Sequence, residues 1–428
     1  MQVRYRYRLY PTPGQRVALA RAFGCARVVF NDGLRLREQA RLAGEGYVPN
    51  VDVQKAVITE AKRTPGRAWL AEVSSVVLVQ AVNDLHRAYR NFFDSASGRR
   101  KGRRVAPPRF RSKRGQQSIR LTRNGFTVRP SGRLYVAKVG DIPVTWSRDL
   151  PSDPSSVTVI ADTAGRYWAS FVVDVPVTPL PDADREVGVD LGLTHLAVTS
   201  DGVKIDNPRW LRAKQRRLAR AQRALCRKQK GSANRKKAAR TVARLHAKVA
   251  DTRRDQLHKL STTLMRDNQA VYVEDLAVAG LARTRLARSV YDAGWAMLVN
   301  MLEYKAVRYG RYLGKVDRWC PSTRTCSACG RVGDKLPLSI RSWACPCGVV
   351  HDRDVNAAIN ILAAGRAERL NACGAQVRPA SVPAPRREAG THRGDCALTA
   401  CSAVGIPALQ SREDVKGRSS RCTRRSGR

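Results

Sequence analysis

The sequence predicts a multidomain α/β protein, and three observations carry that prediction. Short stretches of period-two alternation open the chain and recur between 118 and 175 and between 187 and 205. Stretches of helical periodicity lie between and after them, the clearest ending near residue 95. A chain of 428 residues, at roughly 100–200 per domain, divides into about two to four units.

In chain order, Val3, Tyr5, Tyr7 and Leu9 alternate with Arg4, Arg6 and Arg8, a half-buried strand with a basic outer face. Pro11 and Pro13 stop it, and Thr12 followed by Pro13 and Gln15 reads as a capped helix start. Helix is expected to about residue 95, where Leu78, Val82, Leu85, Tyr89 and Phe92 form one apolar stripe suited to core packing. Basic runs at 99–104 and 108–117 interrupt it. Strands are expected at 126–128, 134–136, 142–144, 157–160 and 167–173, separated by turns at Gly132 and Gly165. They suggest a small β-barrel that the N-terminal strand completes. Residues 176–184, with Pro179 and Pro181, read as a linker. Three closely spaced strands follow at 187–190, 196–198 and 203–205, then helix broken near Gly231 and Ser232. A buried strand is expected at 270–273, a helix at 291–312, a strand at 313–316, and a last helix with Val355, Ile359 and Leu362 on one face. Residues 371–428 lack periodicity and read as a disordered basic tail.

Charge narrows the function. Charged residues are 27% of the chain, near the roughly 25% of an average domain, but 79 Lys and Arg stand against 35 Asp and Glu, a net charge of +44. That balance excludes an ordinary metabolic enzyme surface and points to a polyanionic partner. The N-terminal residues have no apolar core of a secretory signal, and no apolar run is long enough to span a bilayer. The expectation is a bacterial cytoplasmic, nucleoid-associated protein with no membrane partner. Its 11 cysteines then serve as metal ligands or reduced thiols.

Between Arg209 and Lys248 there are sixteen Lys and Arg and no acid. A one-sign run repels itself without counter-ions, so phosphate contact is expected, with Arg216, Arg217, Arg220, Arg223, Arg227, Lys228, Arg235 and Lys236 as candidates. A second candidate, with weaker specificity, is the interleaved segment holding Arg109, Arg111, Lys113, Gln116 and Gln117.

Three carboxylates stand out in so basic a chain. Asp190 and Glu274 end expected strands, and Asp354 opens the last helix. Carboxylates on rigid element ends can converge on Mg²⁺, two ions clamping the attacking and leaving oxygens of a phosphodiester. Strand-Asp, strand-Glu, helix-Asp is the order an RNase H-like nuclease requires. Each carboxylate taken alone could equally be an ordinary ion-pair partner. Cys326, Cys329, Cys345 and Cys347, in two glycine-closed knuckles fifteen residues apart, can enclose one structural Zn²⁺. The second knuckle is one residue short, so His351 or Cys320 could replace a thiolate.

With these residues in view, the chain resembles the TnpB (OrfB) family of insertion-sequence-encoded RNA-guided nucleases, relatives of type V CRISPR effectors. The likeness rests on Tyr5 to Gln15, Phe92-Phe93, Pro108 to Lys113, Gly188 to Gly192, Arg254 to Ser261, Glu274 to Leu276, Asp292 to Trp295 and His351 to Asn360. It implies a wedge β-barrel (1–11 and 104–180) with an inserted helical recognition lobe (12–103). It further implies a RuvC-like nuclease (184–318 and 349–370) with an inserted zinc finger (319–348). By that likeness the acidic triad falls on Asp190, Glu274 and Asp354, and the zinc thiolates on Cys326, Cys329, Cys345 and Cys347. The implied partners are a guide RNA from the element's end and double-stranded target DNA beside a short adjacent motif, with two catalytic Mg²⁺ and one Zn²⁺. The alternatives are a strand-transferring transposase, for which no separate active site is visible, and a non-cutting RNA-guided repressor, which needs none of the three carboxylates.

Overall fold

The computed structural model describes residues 1–113, 115–337 and 339–372. The tail expected to be disordered lies, beyond residue 372, outside the described residues.

The first lobe begins with β1 (Gln2–Leu9) and α1 (Pro13–Leu42), continues through α2 (Asn50–Gln54), a π-helical turn (Lys55–Glu60) and two 3-10 turns, and ends its helical part with α3 (Ser75–Ala96). α1 starts as expected: Thr12 accepts from the Gln15 N–H while the Gln15 side chain accepts from the Thr12 N–H. Strands β2 (Gln117–Thr122), β3 (Phe126–Val128), β4 (Leu134–Val136), β5 (Gly140–Ile142), β6 (Val144–Thr145), β7 (Ser156–Ala161) and β8 (Tyr167–Asp174) follow. Sequence patterning missed β2, which lies inside a basic segment. It also merged β5 with β6, which Pro143 separates because it supplies no ladder donor. One antiparallel sheet runs β2-β7-β8-β1-β6, and β3-β4-β5 form a second. Tyr5, Tyr7 and Leu9 of β1 pack with Leu78 and Val82 of α3, Leu134 of β4 and Phe171 of β8 in a single core. The period-two face of β1 therefore meets the first half of the α3 stripe, while Leu85 and Tyr89 pack with Phe30 and Leu34 of α1.

The second lobe opens with β9 (Glu186–Asp190), β10 (His195–Thr199) and β11 (Lys204–Asp206). The basic run forms a helical hairpin, α4 (Trp210–Cys226) and α5 (Ala233–Asp267), with Ser232 capping α5 through the Arg235 N–H. Then come β12 (Ala270–Glu274), α6 (Val278–Leu281), α7 (Ala287–Ala293), α8 (Trp295–Tyr309) and β13 (Tyr312–Val316). The single helix expected over 291–312 is thus two, broken where Gly294 takes φ +73°, and its last residue, Tyr312, opens β13. Finally β14 (Ser342–Ala344), β15 (Val350–Asp352) and α9 (Arg353–Ala372) complete the lobe.

The sheet order is β11-β10-β9-β12-β13, with β9, β12 and β13 mutually parallel. α9 lies against it at backbone contact. A Cβ on Gly188 would sit 2.1 Å from the Ala358 carbonyl oxygen, and one on Gly365 2.1 Å from the Tyr272 ring. Ala357, Ala358 and Ile361 are fully buried, and Val355, Ile359 and Leu362, the apolar face read from the sequence, are half-buried. Small residues stand where the backbones come closest, at Gly188, Ala358 and Gly365, while Ile361 fills the space against Tyr272 and Val316. Arg166, on the β7–β8 hairpin, joins the lobes by pairing with Asp162 (2.7 Å) and with Asp251 of α5 (2.5 Å).

Candidate functional site

Parallel pairing of β9 and β12 sets Val189 beside Val273, so the next residues, Asp190 and Glu274, end neighbouring strands side by side. Both are half-buried. α9 brings Asp354 to the same crevice, because its first turn begins directly after β15 and its body is pressed on β9. Burial, then the negative charges of Glu274 and Asp354, push the Asp190 carboxyl up to about 7, while Arg353 and Arg341 pull the other way. Three carboxylates on one crevice, offset in part by Arg341 and Arg353, are the hard-oxygen donor type that a divalent cation takes. Their oxygens are less tightly gathered than the thiolates described below.

Glu274 and Asp354 each have a side-chain partner. Ser322 donates its hydroxyl to Glu274 Oε1 at 2.6 Å. Arg341 lies 3.4 Å from Asp354 Oδ1 and donates to Thr194 Oγ1 at 2.9 Å, and His195 Nδ1 is 3.7 Å from Asp354 Oδ2. Asp352 accepts the Asp354 and Val355 N–H groups at 3.1 and 3.0 Å, capping α9, and pairs with Lys204 at 2.5 Å. Sequence reasoning passed over Ser322, Arg341 and Asp352. Only Asp352 carried a signal, an acid just before a helix start.

Cys326, Cys329, Cys345 and Cys347 place their sulfurs within 4.8 Å of one another. Cys326–Cys347 and Cys329–Cys345 are both 3.7 Å apart. A tetrahedron with Zn–S near 2.3 Å has sulfur–sulfur edges of about 3.8 Å, so the four thiols fit such an ion. The short second knuckle still closes: Gly330 and Gly348, both at positive φ, return their N–H groups to the Cys326 and Cys345 carbonyls at 2.9 Å. Burial raises the Cys326 thiol, but the Cys329 and Ala328 N–H groups and His351 outweigh it and hold the thiol at about 5. His351 Nε2 sits 3.0 Å from Cys326 Sγ, beside the four thiols, and Cys320 packs instead near Val316 and Ile361.

The expected nucleic-acid contacts divide. Arg216, Arg220 and Arg223 recur on one face of α4, opposite the buried Leu218, Arg227 continues that face as the C-cap, and all four are exposed. Arg217, Lys228 and Lys236 are exposed too, as are Arg109, Lys113 and Gln116. Three others hold the fold. Arg235 donates to the Leu225 and Lys228 carbonyls at 3.0 and 2.8 Å and closes the α4–α5 turn. Arg111 lies 3.7 Å over the Phe30 ring and 3.7 Å from Asp84, and Gln117 donates to the Lys113 and Gly115 carbonyls. Asp292 accepts the Leu211 and Arg212 N–H groups and pairs with Arg253 at 2.7 Å, capping α4.

Residues 170–285 match a family profile described as OrfB, "Probable transposase", 295–361 one described as "Cas12f1-like, TNB domain", and 1–45 an OrfB "Helix-turn-helix domain". Here the last region is a strand and one long helix. The chain is 48% identical over 380 residues to a Streptomyces pristinaespiralis protein named "Putative RNA-guided DNA endonuclease", covering 88% of this chain and 92% of that one. It is 31% identical over 392 residues to a protein of the same designation from Escherichia coli (strain K12), covering 87% and 94%. It shares its fold with the protein of a Cas12f1-sgRNA-target DNA complex, at 15% identity and a TM-score of 0.51 over 81% of this chain and 82% of that one.

Proposed function

The chain belongs to the TnpB (OrfB) family, and on that premise we propose that it is an RNA-guided endonuclease hydrolysing target DNA at Asp190, Glu274 and Asp354. The observation that carries the reading is the crevice itself: in a chain of net charge +44, burial and then the charges of Glu274 and Asp354 raise the Asp190 carboxyl to about 7. The second lobe would then be the RuvC-like nuclease, the first the wedge with its helical recognition lobe, and 319–348 a zinc finger held by the four thiolates. Bound at the three carboxylates, two Mg²⁺ would supply Lewis-acid stabilisation of charge on the phosphodiester oxygens. Glu274 and Asp190 project from neighbouring strand ends and so are held rigidly side by side. Arg341 offers a cation beside Asp354, where a phosphate would approach. Exposed arginines of α4 bind backbone phosphates of the guide RNA or its duplex, reading charge and shape while base pairing reads sequence. The guide would come from the element's end, and the target would lie beside a short adjacent motif.

Replacing Asp190, Glu274 or Asp354 by Ala should abolish cutting of a guide-matched duplex in Mg²⁺ and leave guide-RNA affinity within about twofold, since the phosphate-binding cations lie elsewhere. Products decide against the alternatives: strands joined to new DNA would mean transposition. A wild-type protein that binds and represses a matched target but never cuts it would overturn the assignment.

A further inference from the structure

One loop ties the four-thiolate cluster to the carboxylate crevice. Ser322 is 3% exposed, and its hydroxyl points at Glu274 rather than at solvent or its own backbone. The loop hangs from α9, the helix that also carries Asp354. Asn360 donates to the Ser322 and Thr325 carbonyls at 2.8 and 2.6 Å. Asn356 donates to the Thr325 carbonyl at 2.8 Å and accepts the Ser327 N–H at 2.9 Å. Cys326, between Thr325 and Ser327, is therefore bracketed by the same two asparagines and is itself held by the Arg331 carbonyl at 2.9 Å.

A glutamate has three side-chain torsions, and leaving them free would scatter its oxygens. A hydroxyl bonded to Oε1 selects one rotamer and leaves Oε2 unencumbered. From this geometry we infer that Ser322 is a positioning residue for Glu274, through which an intact thiolate cluster raises the crevice's affinity for divalent cations. The inference rests on the reading of Glu274 as a metal ligand. Partners of this kind, one bond removed from a metal, are worth about 10–100-fold in affinity.

The test is Mn²⁺ titration of the full chain by calorimetry and paramagnetic resonance, with Glu274→Gln defining background binding. Ser322→Ala should weaken crevice binding about tenfold with zinc content unchanged, and Ser322→Thr should restore it. Asn360→Ala and Cys329→Ser, which loosen the loop from either side, should weaken it in the same direction. The Mg²⁺ concentration that half-saturates cutting should rise by a similar factor in Ser322→Ala. Wild-type Mn²⁺ affinity in Ser322→Ala overturns the inference and leaves the nuclease reading standing. Mn²⁺ binding by wild type no better than by Glu274→Gln, with no guide-dependent cutting, overturns both.

Discussion

At the scale of single residues, the second lobe holds a cation with no carboxylate partner among the described residues. Lys305 of α8 is buried, and its three N–H donors are spent on the His258 carbonyl (2.7 Å), Ser261 Oγ (2.6 Å) and Thr262 Oγ1 (2.7 Å) of α5. Burial, then Arg308, lowers its ammonium from the ordinary 10.5 to about 8. Between those values the unfolded chain binds the proton and the folded one does not. Stability therefore rises with pH from about 8 to about 10.5, and below about 8 the cost of the buried charge is fully present. Relative to Lys305→Met, the wild-type melting temperature should climb across that window; parallel curves would show that the site does not titrate there. Sequence inspection offered no sign of this, because a lysine's partners lie 43 to 47 residues away.

At the scale of elements, the placement of Asp354 depends on how closely α9 lies on the sheet. Gly188→Ala would set a Cβ 2.1 Å from the Ala358 oxygen and 2.6 Å from the Leu362 nitrogen, both backbone atoms that no rotamer can move. The helix must lift, at a cost of about 3 kcal/mol, the upper part of the usual range for overpacking. A lower midpoint in urea should accompany weakened cutting, since the lifted helix carries Asp354. A variant as stable as wild type would mean that the contact relaxes freely. Here the patterning of α9 was legible as helix, but its fully buried side was not. Hydrophobicity marked Val355, Ile359 and Leu362, whereas the closest approach falls at Ala358 and Gly365. Capping by contrast is local, and the sequence reading found it at Thr12 with Gln15, a span of three residues.

For the whole molecule, a charge of +44 means that affinity for RNA should be dominated by counter-ion release. Replacing Arg216, Arg220, Arg223 and Arg227 by Ala removes four cations from one face of α4. The slope of log affinity against log salt should become shallower by about 3, and an unchanged slope would place the RNA on another surface. Composition, the sixteen-cation run, the three outstanding acids and most, though not all, of the strands and helices were set by the chain read alone, since each depends on residue type and local period. The knuckle spacing likewise pointed to the four sulfurs that the fold gathers. What the tertiary structure decided were relations across long separations. Arg111, Gln117 and Arg235, indistinguishable in sequence from the free cations and amides beside them, hold the fold instead. Ser322 meets Glu274 across 48 residues, and Asp190 acquires its raised proton affinity only when burial and two distant carboxylates surround it. A residue's type states what it can donate, accept or charge; which of those capacities is used depends on neighbours that the chain's own period cannot specify.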